Sequence, residues 1–155
     1  MTKLFKTPDE AEAAFYEAIE HSDMAALTNV WSTDDNIVCV HPGSSRIEGR
    51  AEVLESFSEL FAEAPSLSFS IVDTLYTGNE SLAVHLVREE VELDGEVVSV
   101  MVSTNIYHVE DGGWRMLLHH TSPEPDAAYD IDYDELLAFD ELDDDIDDDK
   151  PPVLH

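Results

Sequence analysis

Basic residues are scarce: 7 Lys and Arg stand against 36 Asp and Glu in 155 residues, a formal net charge of -29. So acidic a surface, with no basic stripe to relieve it, repels phosphate backbones and anionic bilayers, so neither nucleic acid nor membrane is expected as a partner. Cysteine is nearly absent too. The single Cys39 cannot close an intrachain disulfide, and its place in the apolar run Ile37-Val38-Cys39-Val40 reads as a small buried hydrophobe rather than a reactive thiol. No apolar run approaches the length of a membrane span, and the stretch Met1 to Glu10 lacks the hydrophobic segment of a signal peptide, so cytoplasmic residence is expected. No Cys/His cluster is present, and neither a cofactor nor a metal is expected.

What remains is an ordinary globular composition, 43% hydrophobic, in a chain long enough for one domain with a real core. The charge divides unevenly. Residues 1–123 carry 22 acidic and 6 basic side chains, whereas residues 124–155 carry 14 acidic and 1 basic. Self-repulsion should keep this acidic tail largely disordered, with a short helix over Tyr133 to Leu142 as the one ordered alternative, and its charge suits a basic protein partner. Asp143, Asp145 and Asp147 repeat like the first ligands of a calcium loop, but Asp148 stands at the glycine position and Leu154 at the closing glutamate, so calcium is excluded.

Thr7-Pro8-Asp9-Glu10 supplies an N-cap, a first-turn proline and first-turn acids, predicting a helix to about His21 with Ala11, Ala14, Phe15, Ala18 and Ile19 on its core side. A short second helix opens at Ser22 or Asp23 and carries Met24, Leu27, Val30 and Trp31. Ile37 to His41 has strand character, a loop runs to Gly49, and a third helix spans Ala51 to Ala64 before Pro65. Strands follow at about Leu67 to Thr77, Ser81 to Leu93, Val97 to Val109 and Trp114 to Thr121, punctuated by Gly78-Asn79, Asp94-Gly95 and Asp111-Gly112. Such spacing predicts an antiparallel meander. Helices first and strands after make an α+β domain, with the helices on one sheet face. Runs such as Leu82 to Val87 and Val97 to Val102 are apolar on both faces, so a second copy of the chain is expected to cover the other face as a homodimer.

The most informative stretch is Ile106-Tyr107-His108-Val109-Glu110-Asp111-Gly112-Gly113-Trp114 through His119-His120-Thr121-Ser122-Pro123. Over about residues 8–123 the chain resembles the nuclear transport factor 2-like superfamily, including ketosteroid isomerase, scytalone dehydratase and SnoaL-like polyketide cyclases. The Asp111-Gly112-Gly113-Trp114 turn and the His120-Thr121-Ser122 exit are similar to stretches of the calcium/calmodulin-dependent protein kinase II association domain. The resemblance implies a cone-shaped curved antiparallel sheet with three N-terminal helices packed on its concave face. It also implies an arginine-lined pocket, to which Arg88 would correspond, while Asn105 and Thr121 stand where other arginines are expected. A pocket so altered loses most of the charge that clamps carboxylates. In the isomerase comparison, His41 before Pro42 takes the place of the proton-shuttling aspartate. Phe15 takes that of the oxyanion-binding tyrosine, with Tyr16 expected on a different helical face.

These observations nominate His41 and His119 as catalytic candidates, and Trp31, Arg46, Arg88, Ser103, Asn105, Tyr107 and Thr121 as ligand-binding ones. Alternation puts Ser103, Asn105 and Tyr107 on one face of their strand and His119 with Thr121 on one face of the next. Polar side chains beneath helices imply a hydrated pocket; alternatively they pair with one another and with buried backbone. Adjacent His119 and His120 point to opposite faces and cannot share a metal without a bulge. His85 and His108 read as structural, and His21 as a partner of its helix end. Three roles follow: a dimeric module binding an unidentified small molecule, a lyase, isomerase or cyclase with a histidine base, or an assembly domain.

Overall fold

The computed structural model describes residues 3–63 and 67–125. The chain divides into two units, residues 1–124 and 125–155; the expectations for the acidic tail, and for Pro65 as a helix stop, lie outside the described residues.

Local chemistry starts the helices where the sequence places them. Helix α1, Pro8–Glu20, is opened by Thr7, whose side chain accepts the Glu10 amide at 3.1 Å while the Glu10 carboxylate accepts the Lys6 amide at 2.7 Å. Asp23, rather than Ser22, caps α2, Met24–Val30, by accepting the Ala26 amide at 3.0 Å. Helix α3, Arg50–Glu63, places its first side chain over the far end of α2: the Arg50 guanidinium donates to the carbonyls of Thr28 and Trp31, each at 3.2 Å, and to that of Ser32. Those carbonyls would otherwise be left unpaired at a helix end.

Six strands form one sheet in the order β2-β1-β6-β5-β4-β3, with β1 Val38–Val40, β2 Ile47–Glu48, β3 Ser68–Gly78, β4 Leu82–Leu93, β5 Glu96–Glu110 and β6 Gly113–Pro123. The expected meander is β3 to β6. Asp94-Gly95 and Asp111-Gly112 have positive φ at both central residues, 53° and 83° and 50° and 81°, the mirror-image turns whose twist matches antiparallel strands. Two features depart from the sequence expectation. The loop before α3 contains the short strand β2, and β1 pairs with β6 in parallel, Cys39 opposite His119.

Register shifts bend the sheet at Val72/Leu75, Val91/Glu92 and Ile106/Tyr107. The last matters most for side-chain direction. Ile106 lies opposite Leu118 and Tyr107 opposite Met116, so Leu117 is an extra residue and Met116 and His119 turn to the same face. That face meets the helices around Phe15, whose ring centroid lies 4.8 Å from His119, 6.0 Å from Phe57 and 6.2 Å from Trp31.

Beyond the core, Glu110 pins the end of β5 to the chain leaving α2. It accepts from the Ser32 and Thr33 hydroxyls, from the Thr33 amide at 3.0 Å, and lies 3.1 Å from His108 Nε2. Partial burial works against ionisation, yet the hydrogen bonds of Ser32, Thr33 and His108 outweigh it and hold the carboxyl at about 2, below its ordinary 4.5. A carboxyl depressed in this way stabilises the fold above its ordinary value, and the contribution fades as pH falls from there through about 2. Glu110→Gln is therefore expected to cost about 1–3 kcal/mol at neutral pH. Urea titrations should show the deficit shrinking across that acidic window; a deficit independent of pH would sink the assignment.

Candidate functional site

Alternation along β4, β5 and β6 brings polar side chains under α1. Opposed residues across the sheet form one transverse row, His85, Asn105, His119 and Cys39, and the next row contains Val87, Ser103 and Thr121. All of these are buried. Helix α1 contributes Glu12 and Tyr16, one turn apart on the side facing the sheet.

The resulting hydrogen-bond network is continuous. Glu12 Oε2 accepts from the Tyr107 hydroxyl at 2.8 Å, lies 2.8 Å from His85 Nδ1, and takes a longer contact from Asn105 Nδ2 at 3.4 Å. Asn105 Nδ2 also donates to the Tyr16 hydroxyl at 2.9 Å, and Tyr16 donates onward to Glu89 Oε2, which Ser103 Oγ reaches at 2.8 Å. With its amide nitrogen committed to acceptors, Asn105 must present Oδ1 to His119, whose Nδ1 lies 2.6 Å away. His119 Nδ1 therefore carries the proton, and its Nε2 bears a lone pair.

Burial sets the ionisation of these groups. Desolvation, then the charges of His41 and His120, push His119 down to about 3, so it is a neutral imidazole near pH 7. Desolvation and the neighbouring Glu89 push the Tyr16 phenol up, and desolvation with Glu12 does the same for Tyr107, so both remain donors. Desolvation also raises Glu89, against the hydrogen bonds of Tyr16 and Ser103 and a weaker contribution from Thr121. Cys39 is raised by burial to about 12 and stays a thiol beside His41.

Of the residues nominated from sequence, the structure gathers Ser103, Asn105, Tyr107, His119 and Thr121 on one face. His41 stands half-buried just beyond β1, its Nε2 3.0 Å from Ser56 Oγ and its ring 4.8 Å from that of Phe57. Since Ser56 spends its proton on the Val53 carbonyl, His41 Nε2 is the donor to it. Trp31 is buried among Phe15 and Phe57, and its indole N–H has no partner among the described residues.

The two arginines do not join. Arg88 is one residue out of phase with Val87 and Glu89, so it leaves by the opposite face and pairs with Asp73 at 2.5 Å and Glu124 at 2.7 Å. Arg46 lies exposed before β2 against Glu48 at 3.1 Å. Tyr16, expected on another face than Phe15, is buried with it. His85, read as structural, belongs to the network, whereas His108 remains a partner of Glu110 and Ser32.

Sequence reasoning missed Glu12, Tyr16, His85 and Glu89 as site residues. For two of them a signal was present: period two through Ala83, His85, Val87, Glu89 and Val91 places His85 and Glu89 with the core side of β4. A separate open groove of about 620 Å³ lies among the first residues, α1 and α2, and shares only Trp31 with the nominated set. Among the described residues, no three His, Cys, Asp or Glu side chains are grouped to hold a metal ion.

A neutral His119 makes a direct prediction. Its ring signals should not titrate between about pH 8 and about pH 5, the interval in which an unperturbed imidazole gains its proton. Two-dimensional NMR of the histidine ring protons reads this, and a midpoint near 6.5 for His119 would contradict the described burial.

Residues 9–126 match the family described as the SnoaL-like domain. The chain is similar to a protein from Thiobacillus denitrificans provisionally described as a calcium/calmodulin-dependent protein kinase type II association domain: 32% identity, 79% of this chain and 99% of that one, TM-score 0.72. It is also similar to a protein from Streptomyces avermitilis provisionally described as a dehydratase of the NTF2-like family, at 30% identity over 77% of this chain and 100% of that one, TM-score 0.69. A protein of unknown function with a cystatin-like fold from Nostoc punctiforme, 13% identical over 76% of this chain and 88% of its own, shares the fold with a TM-score of 0.66. No curated protein matches the sequence.

Proposed function

The chain belongs to the SnoaL-like domain family, and on that footing we propose that it is a homodimeric module binding a small molecule between α1 and the sheet. The observation that carries this reading is the buried network itself. Nine polar side chains, those of Glu12, Tyr16, His85, Glu89, Ser103, Asn105, Tyr107, His119 and Thr121, crowd one side of a domain whose core is otherwise apolar. Most of them pair with one another, but Glu12 and Glu89 engage through one carboxylate oxygen each and His119 through one ring nitrogen, which leaves acceptors for a ligand or water. Binding is favoured over proton transfer because His119, at about 3, is far from the neutral value at which a general base works best.

A second reading, a lyase or isomerase with His119 as base, draws on the unprotonated Nε2 and on the provisional dehydratase description of the Streptomyces avermitilis relative. The dimer draws on the other sheet face, where Leu75 and Leu86 stand opposite one another, 66% and 40% exposed, beside half-buried Val84, Ile106 and Leu118. The Thiobacillus denitrificans relative, described as an association domain, agrees with self-association.

Native mass spectrometry of gently purified protein tests both parts at once, and the expected result is a dimer retaining a discrete additional mass. Asn105→Ala should remove the retained mass, whereas Leu86→Asp should shift the assembly to monomer. Retention of the ligand by both Asn105→Ala and His119→Ala would refute the placement of the pocket. A monomeric wild type would refute the sheet-packed dimer.

A further inference from the structure

Resting on the pocket reading above, we infer that the ligand is an organic amine that enters as a cation, its nitrogen donating to the Glu89 and Glu12 carboxylates. The argument starts from which atoms the network leaves uncommitted. Each carboxylate engages through Oε2 alone; among the described residues, Glu12 Oε1 and Glu89 Oε1 take no hydrogen bond, although the two residues are only 7% and 4% exposed. His119 adds a third open acceptor, because Asn105 occupies its Nδ1 and the lone pair on Nε2 is left free.

A further observation, on the strand beside Glu89, points to an occupant. The Thr121 hydroxyl, 5% exposed, stands close enough to Glu89 to favour its ionised form but completes no well-formed hydrogen bond among the described residues, and it lies directly across from Ser103, whose own hydroxyl donates to Glu89. Buried hydroxyls are ordinarily fully paired, so a hydroxyl held this loosely beside the carboxylate leaves room for another donor there.

Charge then chooses between donors. Among the described residues, no Lys or Arg side chain joins the network: Arg50 is spent on the carbonyls after α2, Arg115 donates to the carbonyls of Lys3 and Trp114, and Arg88 leaves by the opposite face. A buried carboxylate with no Lys or Arg beside it gains far more from an ammonium than from a hydroxyl, and repels a carboxylate. Phe15, its ring 4.8 Å from that of His119 and packed in turn on Trp31 and Phe57, sets an aromatic environment beside the network that suits an aryl group and the electrostatics of a nearby cation.

The test uses three probes of one skeleton on the full chain: benzylamine, benzyl alcohol and benzoate, with binding followed by protein-observed NMR at neutral pH. Benzylamine is expected to bind at least about tenfold more tightly than benzyl alcohol, with benzoate weakest, and Glu89→Gln is expected to abolish the preference for the amine. If Glu89→Gln does not fold, Glu12→Gln and the wild-type ranking carry the same decision. Equal binding of alcohol and amine overturns the inference while leaving the pocket reading in place, as does tighter binding of benzoate. Failure of all three probes to perturb the Asn105 and His119 signals overturns the inference and the pocket reading together.

Discussion

The side chain of Asn105 is the point on which the interior turns. It sits on β5 between His85 and His119 in the transverse row, and its two ends face different chemistry. Its nitrogen is tied to α1 through the Tyr16 hydroxyl and Glu12, and its oxygen is tied to β6 through His119. The amide cannot be turned over, because Glu12 offers only acceptors on one side and His119 would then face an N–H with its own proton. One group thereby fixes the docking of a helix and the tautomer of a histidine. Leaving such partners unsatisfied in the interior costs about 1–3 kcal/mol for each group, which is enough to make the network rigid.

Much of this was legible in the residues themselves. Thr7 and the acids after Pro8 declared α1, and the Asp-Gly pairs declared the hairpins. The alternation of Ser103, Asn105 and Tyr107, and of His119 with Thr121, declared one face. What stayed hidden has physical causes. All five residues of the α1 stripe, Ala11, Ala14, Phe15, Ala18 and Ile19, do reach the core, but the buried sector is wider than an apolar pattern can show and takes in Glu12 and Tyr16 as well. In β4 the run Leu82 to Val87 is apolar on both faces, so hydrophobicity could not say which side held His85, and Arg88 was assigned to the pocket although its parity opposes Glu89. The parallel pairing of β1 with β6 joins residues some eighty positions apart and has no local signature.

The scarcity of basic residues acquires a structural meaning in the interior. The fold's few cations go largely to helix ends and exposed acids, and Glu12 and Glu89 are satisfied instead by hydrogen bonds from phenols, an amide, a hydroxyl and the His85 ring. Donors of this kind stabilise a carboxylate without cancelling its charge. The interior is accordingly rich in acceptors, a character that an arginine-lined version of the same fold would invert.

Both faces of the sheet are read from the same strand. On β5 the odd positions Ser103, Asn105 and Tyr107 face the helices, while the even positions Thr104 and Ile106 face the opposite side beside Leu86 and Val84. A shift of one residue in register would exchange the polar row for the apolar one and destroy both. Register is held at one end by the Asp111-Gly112 turn, and the extra Leu117 then corrects the parity of β6 so that Met116 packs with the core and His119 still reaches Asn105. Without that bulge, the turn that sets Met116 inward would put His119 outward. The bulge is thus what allows a single hairpin to supply an apolar core near its turn and a polar site farther along.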